Sequence, residues 1–226
     1  MLRAVIFDFD GVITDSEVLH LRSFNRVLAQ YGVEISTKEY YKEYLGLSDL
    51  DCLKALIDKK VFKKPTKTID VLAEEKTEIF EKLARTEGKI IEGVRDFLQM
   101  LRRNNMPMAI CSGALMAEIE LVLDQARLRS FFEVIVSAEF VRRGKPSPDG
   151  FVLTLKKLNH ERQDVIFANQ CVVIEDSHWG LEAASAAGMH SVAVTNSYDA
   201  EQLTLAEKIV TGLGELSMEA LQELCD

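Results

Sequence analysis

Short apolar runs that alternate with helix-patterned segments are the feature that most constrains how this chain folds. The apolar runs, rich in valine and isoleucine, cover residues 4–7, 108–111, 134–136, 171–174, 191–194 and, more weakly, 208–210. Helix patterns cover residues 94–104, 115–126, 150–158, 180–187 and 217–224. Uniformly apolar strands are typical of a parallel sheet that is covered on both faces. Their alternation with helices predicts an α/β fold with a doubly wound, Rossmann-like parallel sheet.

Residues 18–88 have a different pattern, with no strong strand signal. Apolar residues recur there every three or four positions, as at Leu21, Phe24 and Leu28, which predicts about four helices in a small bundle. We therefore predict an α/β core domain at 1–15 and 89–226 and an inserted helical domain at 16–88. An insertion at the carboxyl end of a strand is expected to hang over the crevice where such sheets bind ligands, as a lid would.

Composition excludes several classes of protein. Hydrophobic residues make up 47% and charged residues 28% of the chain, as in a folded globular protein. No run approaches the ~20 apolar residues of a membrane span, and the N-terminus lacks the pattern of a signal peptide. The four cysteines are scattered without C-x-x-C spacing, which argues against a disulfide framework or a zinc site. We expect a cytoplasmic protein without a membrane partner.

The charge balance argues against a nucleic-acid partner. Lys and Arg number 27 against 36 Asp and Glu, a net charge of −9, and the basic residues occur in pairs rather than stripes. An anionic substrate would therefore need local positive charge at its site, such as a metal ion. We expect a monomer, with a dimer as the alternative.

Two carboxylates follow the first predicted strand. The strand ends in Asp8-Phe9-Asp10-Gly11, and because side chains alternate along an extended chain, Asp8 and Asp10 point to the same side. Asp-Gly by itself also predicts a hairpin turn. A helix pattern follows instead of a second strand, which favours a functional role for the two acids.

Polar residues also follow the next three predicted strands. They are Ser112 and Gly113 after the second, Lys145 after the third, and Glu175 and Asp176 after the fourth. Each has a structural alternative, because Ser112 and Asp176 are good helix caps and Lys145 could be a solvated loop lysine. Two adjacent carboxylates at the mouth of a buried strand are costly unless a cation lies between them. Since parallel strands present their carboxyl ends at one edge, one crevice can collect the whole set.

This set of side chains suits Mg²⁺-dependent phosphoryl transfer through an aspartate. Mg²⁺ prefers oxygen ligands, and an aspartate with an unperturbed pKa of about 3.9 is ionised at neutral pH without a partner base. Such a carboxylate can attack phosphorus and form an acyl phosphate. A second acid two residues on can protonate the leaving group and then deprotonate water. The metal, a lysine and oriented donors balance the charge of the transferred group.

The motifs, taken in order, resemble the haloacid dehalogenase-like superfamily. They read DFDGVITDS at 8–16, CSG at 111–113, GKPSPDGF at 144–151 and VVIEDSHWG at 172–180. The pattern is most similar to the β-phosphoglucomutase and phosphoglycolate phosphatase-like branch, which has a small α-helical cap. The resemblance implies that Asp8 is the nucleophile and Asp10 the general acid/base. It also implies that Asp8, the backbone carbonyl of Asp10, Glu175 and Asp176 hold Mg²⁺.

The resemblance further implies that Ser112, Gly113 and Lys145 hold the phosphoryl group. In the helical insertion, His20 and Lys76 resemble polar cap positions that face the active site in sugar-phosphate relatives. The alternative is that both are ordinary residues of a helix surface.

The resemblance predicts a phosphatase that acts on a small phosphorylated metabolite, of the sugar phosphate or phosphoglycolate type. The first alternative is a hexose phosphate mutase of the β-phosphoglucomutase type. Asp49 argues against it, because the mutase has an arginine at about this position for the phosphate that is not transferred. A non-catalytic module that binds phosphate and Mg²⁺ is the second alternative. It is disfavoured because the four motifs retain their acids and lysine.

Overall fold

Two compact units make up the chain in this computed structural model, which describes residues 1–45, 47–62, 65–160 and 162–226. The first unit combines Met1–Asp15 with Ile90–Asp226, and the second is Ser16–Lys89. Within the described ranges, no helix is both long enough and apolar enough to span a membrane.

A parallel sheet of six strands organises the first unit. In chain order the strands are β1 (Ala4–Phe7), β2 (Met108–Cys111), β3 (Val134–Val136), β4 (Cys171–Glu175), β5 (His190–Val194) and β6 (Lys208–Val210). Their order across the sheet is β3-β2-β1-β4-β5-β6, and every neighbouring pair is parallel. The predicted α/β fold with a parallel sheet is confirmed.

The burial of β1 and β4 agrees with their position at the centre of the sheet. All four residues of β1 and all five of β4 are buried. A strand without a polar face needs cover on both sides, which only an interior position provides. The two strands that carry carboxylates at their ends are neighbours in the sheet, although they lie far apart in the chain.

The second unit consists of helices, as its periodicity predicts. The helices are α1 (Glu17–Leu28), α2 (Thr37–Glu43), α3 (Asp49–Asp58) and α4 (Ile69–Glu87). Side chains cap the starts of three of these helices: Ser36 forms a capping box with Glu39 at α2, and Ser48 and Thr68 accept backbone N–H groups at the starts of α3 and α4. Fully buried leucines of α3 and α4 form part of the core of this unit.

Over the residues that the structure describes, the first unit contains five further α-helices. They are α5 (Val94–Arg103), α6 (Met116–Gln125), α7 (Asp149–Leu158), α8 (His178–Ala186) and α9 (Met218–Gln222). Phe151 of α7 and Ala183 of α8 are fully buried in one hydrophobic cluster with Ile6 and Val173 of the central strands. This packing holds the helices against the sheet and fixes the loops at the carboxyl ends of the strands.

The helical unit is inserted between two backbone segments of the first unit, and these two segments pair with each other. Thr14 and Ile90 form an antiparallel bridge, and the Ile91 N–H donates to the Ile13 carbonyl over 3.1 Å. The chain therefore leaves the first unit and re-enters it at adjacent points.

Candidate active site

Strand register places Asp8 beside Glu175. Phe7 of β1 pairs with Ile174 of β4, so the next residue on each strand lies at the same edge of the sheet. The Asp8 N–H donates to the Ile174 carbonyl over 2.9 Å, and the Asp8 side chain is buried. Two carboxylates thus meet in a place that water barely reaches.

Lys145 bridges these two carboxylates. It stands on the loop between β3 and α7, and its ammonium donates to Asp8 Oδ1 over 2.6 Å and to Glu175 Oε1. Burial lowers the pKa of Lys145, but the charges of Asp8 and Glu175 outweigh that effect and raise it above its ordinary value. The lysine therefore remains a cation in the site.

The pKa of Asp8 is raised from 3.8 to about 7. Burial is the largest cause, and the charges of Glu175 and Asp10 raise the pKa further, while Lys145 lowers it. The ammonium of Lys145 does not offset the combined effect of burial and the two neighbouring carboxylates. A second cation in the site would favour the ionised form of Asp8.

Glu175 is held by donors on both carboxylate oxygens. Lys145 bonds Oε1, while Oε2 accepts the N–H groups of Asp176 and Ser177 over 3.0 and 3.1 Å and the Ser177 hydroxyl over 2.9 Å. Ser177 also caps α8 by accepting the Gly180 N–H. Gly180 is needed because a Cβ there would lie 1.8 Å from Glu175 Oε1. The start of α8 therefore fixes the Glu175 side chain.

Asp8, Glu175 and Asp176 are grouped closely enough to hold a metal ion. Each offers one carboxylate oxygen, these oxygens all lie within 4.8 Å of one another, and all three residues are buried. Hard divalent cations prefer such oxygen donors, and the charges of Glu175 and Asp10 beside Asp8 favour a cation here. The residues fit a divalent metal ion. Asp10 influences Asp8 through its charge, and its carbonyl as a further ligand stays a prediction.

Ser112 and Gly113 lie at the same edge of the sheet, after β2. The Ser112 N–H donates to the Val136 carbonyl over 2.9 Å, and its hydroxyl oxygen accepts the Ala114 N–H over 3.0 Å. Ser112 is thus not the N-cap of α6, whose N-cap residue is Leu115. Gly113 is exposed, and its role with Ser112 in phosphate binding stays a prediction.

Lys76 of the helical unit is fully buried, so the alternative that it is a helix-surface residue is wrong. Its Nζ lies 2.8 Å from Asp49 Oδ1 and 2.6 Å from His20 Nδ1. The same ammonium lies over the rings of Phe24 and Phe80, at 5.3 and 4.9 Å from their centroids. His20 is half-buried and stacks on Phe80. These contacts compensate the lysine charge within the helical unit.

Sequence reasoning missed two polar residues, Asn196 and Ser197, on the loop that follows β5. The Ser197 hydroxyl donates to Asp176 Oδ2, and the Asn196 amide donates to the Gly11 carbonyl over 2.7 Å. The segment Thr195-Asn196-Ser197 matches none of the motifs. Its only sequence signal is that it follows a predicted parallel strand. That position predicts a loop at the edge of the sheet where Asp8, Glu175 and Asp176 lie.

Comparisons with known proteins agree with this geometry. A family model described as haloacid dehalogenase-like hydrolase matches residues 5–194. A phosphorylated carbohydrates phosphatase from Thermotoga maritima is 29% identical over 192 residues, 84% of each chain. The crystal structure of CbbY from Rhodobacter sphaeroides in complex with phosphate has a TM-score of 0.88 at 25% identity, covering 98% of this chain and 100% of that one. A β-phosphoglucomutase from Clostridium difficile has a TM-score of 0.84 at 28% identity, covering 100% and 97%.

Proposed function

This chain belongs to the haloacid dehalogenase-like hydrolase family, and from that premise we propose that it is a Mg²⁺-dependent phosphatase. Its substrate is a small phosphorylated metabolite, of the sugar phosphate or phosphoglycolate type. The observation that carries this proposal is the buried group of Asp8, Glu175 and Asp176 with Lys145 bridging two of its carboxylates. The phosphatase from Thermotoga maritima supports the same class of substrate.

In the proposed reaction, Asp8 is the nucleophile. Its carboxylate attacks phosphorus, the bond between phosphorus and the ester oxygen breaks, and an aspartyl phosphate forms. Asp10 gives its proton to the departing alkoxide. It then takes a proton from the water that attacks the aspartyl phosphate, which releases inorganic phosphate and restores Asp8.

The remaining residues bind and orient the phosphoryl group. Lys145 is the fixed cation of the site, and we assign it, with Ser112 and Gly113, to the oxygens of that group. Lys145 already contacts Asp8 Oδ1, so the bound phosphoryl group and the nucleophile would share one ammonium. This arrangement holds phosphorus close to the attacking oxygen.

Mg²⁺ would be held by Asp8, Glu175, Asp176 and the backbone carbonyl of Asp10. When bound, it supplies positive charge that stabilises the transferred phosphoryl group and favours the ionised form of Asp8. Removing it is expected to stop the reaction, because the transferred group then loses that positive charge and the pKa of Asp8 stays raised to about 7 by burial, which leaves less of its carboxylate ionised. Phosphate release that persists in excess EDTA would contradict the metal requirement.

A hexose phosphate mutase is the second candidate, supported by the similarity to β-phosphoglucomutase. A mutase must also bind the phosphate that is not transferred. In the helical unit we assign His20 and Lys76 to substrate contacts. Asp49 already compensates Lys76 over 2.8 Å, so an anion would have to displace a carboxylate there. This ion pair favours hydrolysis over the mutase reaction.

A panel of phosphate esters assayed with Mg²⁺ tests the proposal. The panel contains phosphoglycolate, hexose 1- and 6-phosphates, other sugar phosphates and nucleotides, with a coupled assay for hexose 6-phosphate beside it. We expect inorganic phosphate from one class of ester and none from the Asp8→Asn variant, whose fold is checked by circular dichroism. Conversion of hexose 1-phosphate to 6-phosphate without free phosphate would establish the mutase, and full activity of Asp8→Asn would refute the nucleophile assignment.

A further inference from the structure

The loop after β5 makes two contacts with the candidate active site, although it carries none of the family motifs. β5 neighbours β4 and not β1, so this loop must cross the end of β4 to reach the turn that follows β1. It does so through adjacent residues, because Asn196 bonds the Gly11 carbonyl and Ser197 bonds Asp176. One short segment therefore contacts both acid-bearing loops.

Asp176 Oδ2 is enclosed by Gly11 and Ser197. Gly11 has φ +75°, and a Cβ at that position would lie 1.7 Å from Asp176 Oδ2 and 2.9 Å from Ser197 Oγ. The missing side chain of Gly11 thus leaves the space that this carboxylate oxygen occupies. The Ser197 hydroxyl then supplies a donor in the same place, so both position and orientation of the carboxylate are fixed.

Fixing one oxygen of a carboxylate restricts where the other oxygen can point. Asp176 also offers an oxygen to the group formed with Asp8 and Glu175. Groups that hydrogen-bond a metal-ligating carboxylate orient it, and their loss typically weakens metal binding by about 10–100-fold. The Asn196 contact to Gly11, at 2.7 Å, anchors the loop from which Ser197 reaches.

We propose that Ser197 is a positioning residue that orients Asp176 and thereby sets the affinity of the site for divalent cations. This proposal rests on the proposed function only in that Asp176 is a metal ligand. It assigns Ser197 no contact with substrate or with the reacting atoms. Its effect should therefore appear in cation binding when no substrate is present.

The test compares Ser197→Thr with Ser197→Val, two variants of the same shape that differ by one hydroxyl. Mn²⁺ serves as the probe, and the electron paramagnetic resonance signal of the free ion gives its Kd for the full chain. We expect Ser197→Thr to bind within about threefold of the original protein and Ser197→Val about tenfold more weakly. Thr211→Ala is the matched control, because it removes another hydroxyl bond to a carboxylate, that of Glu215, at the turn that follows the neighbouring strand β6.

Activity separates this role from a general loss of structure. For Ser197→Val we expect a higher Mg²⁺ concentration for half-maximal rate, with kcat recovered at saturating Mg²⁺. Equal Mn²⁺ affinity of the Thr and Val variants, whether both match the original protein or both fall, would overturn the proposal. If the original protein binds Mn²⁺ in an Asp176-dependent way but releases no phosphate from any ester, the proposed function fails while the role of Ser197 stands.

Discussion

Asp10 and Asp8 have the same chemical group but different surroundings. Asp8 is buried against Lys145, and its pKa is raised to about 7, whereas Asp10 is more exposed and contributes charge to its neighbour. A group that remains accessible to water is suited to proton transfer in both halves of the reaction. This difference supports the separate roles proposed for the two acids.

The Asp10→Asn variant tests that division. We expect it to form the aspartyl phosphate slowly from an ester with a good leaving group, because such a group needs no proton. Hydrolysis of an alkyl phosphate should fall by about 10²–10⁴-fold, the usual contribution of a general acid or base. Rapid-quench trapping of the phosphorylated protein and steady-state phosphate release measure the two steps. A normal rate with the alkyl ester would exclude Asp10 from proton transfer.

Tyr40 gives a pH prediction for the helical unit. Its hydroxyl donates to Glu17 Oε2 over 2.8 Å, and burial, followed by the charge of Glu17, raises its pKa well above 10.0. The folded state thus keeps the phenol proton at pH values where the unfolded state loses it. The stability that this shift provides is fully present below pH 10 and decreases as the pH rises toward the folded pKa.

Ultraviolet titration of tyrosinate absorbance measures this effect. The pKa values of Tyr40 and Tyr44 are both raised, that of Tyr40 further, so we expect Tyr40 to ionise last in the original protein and Tyr40→Phe to remove that last component. At neutral pH the same variant should lose about 1 kcal/mol of stability with its hydrogen bond. Ionisation of Tyr40 at an ordinary pKa in the folded protein would contradict the assignment.

At the scale of single residues, the sequence identifies the acidic residues of the site but not the side chains that hydrogen-bond and orient them. Asp8, Lys145, Glu175 and Asp176 belong to motifs and follow predicted strands, so their convergence could be anticipated. Ser197 could not, because its contact depends on how the loop after β5 turns across β4. The burial of Lys76 could not be read from its helix either, since Asp49 and His20 compensate it from other helices.

At the scale of elements, the strands were predictable because burial on both faces leaves a simple pattern. The six predicted strands differ from the observed ones by at most one residue at an end. α8 was predicted from residue 180 but starts at His178. Ser177 caps this helix and also donates to Glu175. The first turn of α8 therefore holds a site residue, and its sequence shows little helical periodicity.

Gly180 gives a prediction at the scale of that helix. Alanine is favoured over glycine by about 1 kcal/mol within a helix, so Gly180→Ala should stabilise α8 if propensity alone decided. A Cβ there would overlap the Glu175 carboxylate, and we expect the variant to bind Mn²⁺ more weakly and to lose most phosphate release. Gly214→Ala is the control, because its Cβ would meet no atom within 4 Å. A fully active Gly180→Ala would show that Glu175 needs no fixed position.

At the scale of the whole molecule, the paired entry and exit of the helical unit gives a further prediction. Thr14 and Ile90 form a bridge inside the first unit, so replacing residues 16–88 by a short glycine-serine linker should leave the sheet intact. We expect the shortened chain to unfold cooperatively and to bind Mn²⁺ with an affinity near that of the full chain. Circular dichroism melting and Mn²⁺ titration measure this. A shortened chain without a melting transition would show that the first unit depends on the helical one.

The pairing of β1 with β4, two strands far apart in the chain, also determines when the site forms during synthesis. A ribosome completes β1, with Asp8 and Asp10, long before it makes β4, and Lys145 lies 137 residues beyond Asp8. Until β4 inserts beside β1, the nascent chain carries Asp8, the proposed nucleophile, without Glu175 and Asp176, the carboxylates proposed to hold a cation with it. Ser197 follows Asp176 by another 21 residues. An unfinished chain therefore lacks the complete site. The site forms only when the last third of the protein has been synthesised and has packed against the earlier part.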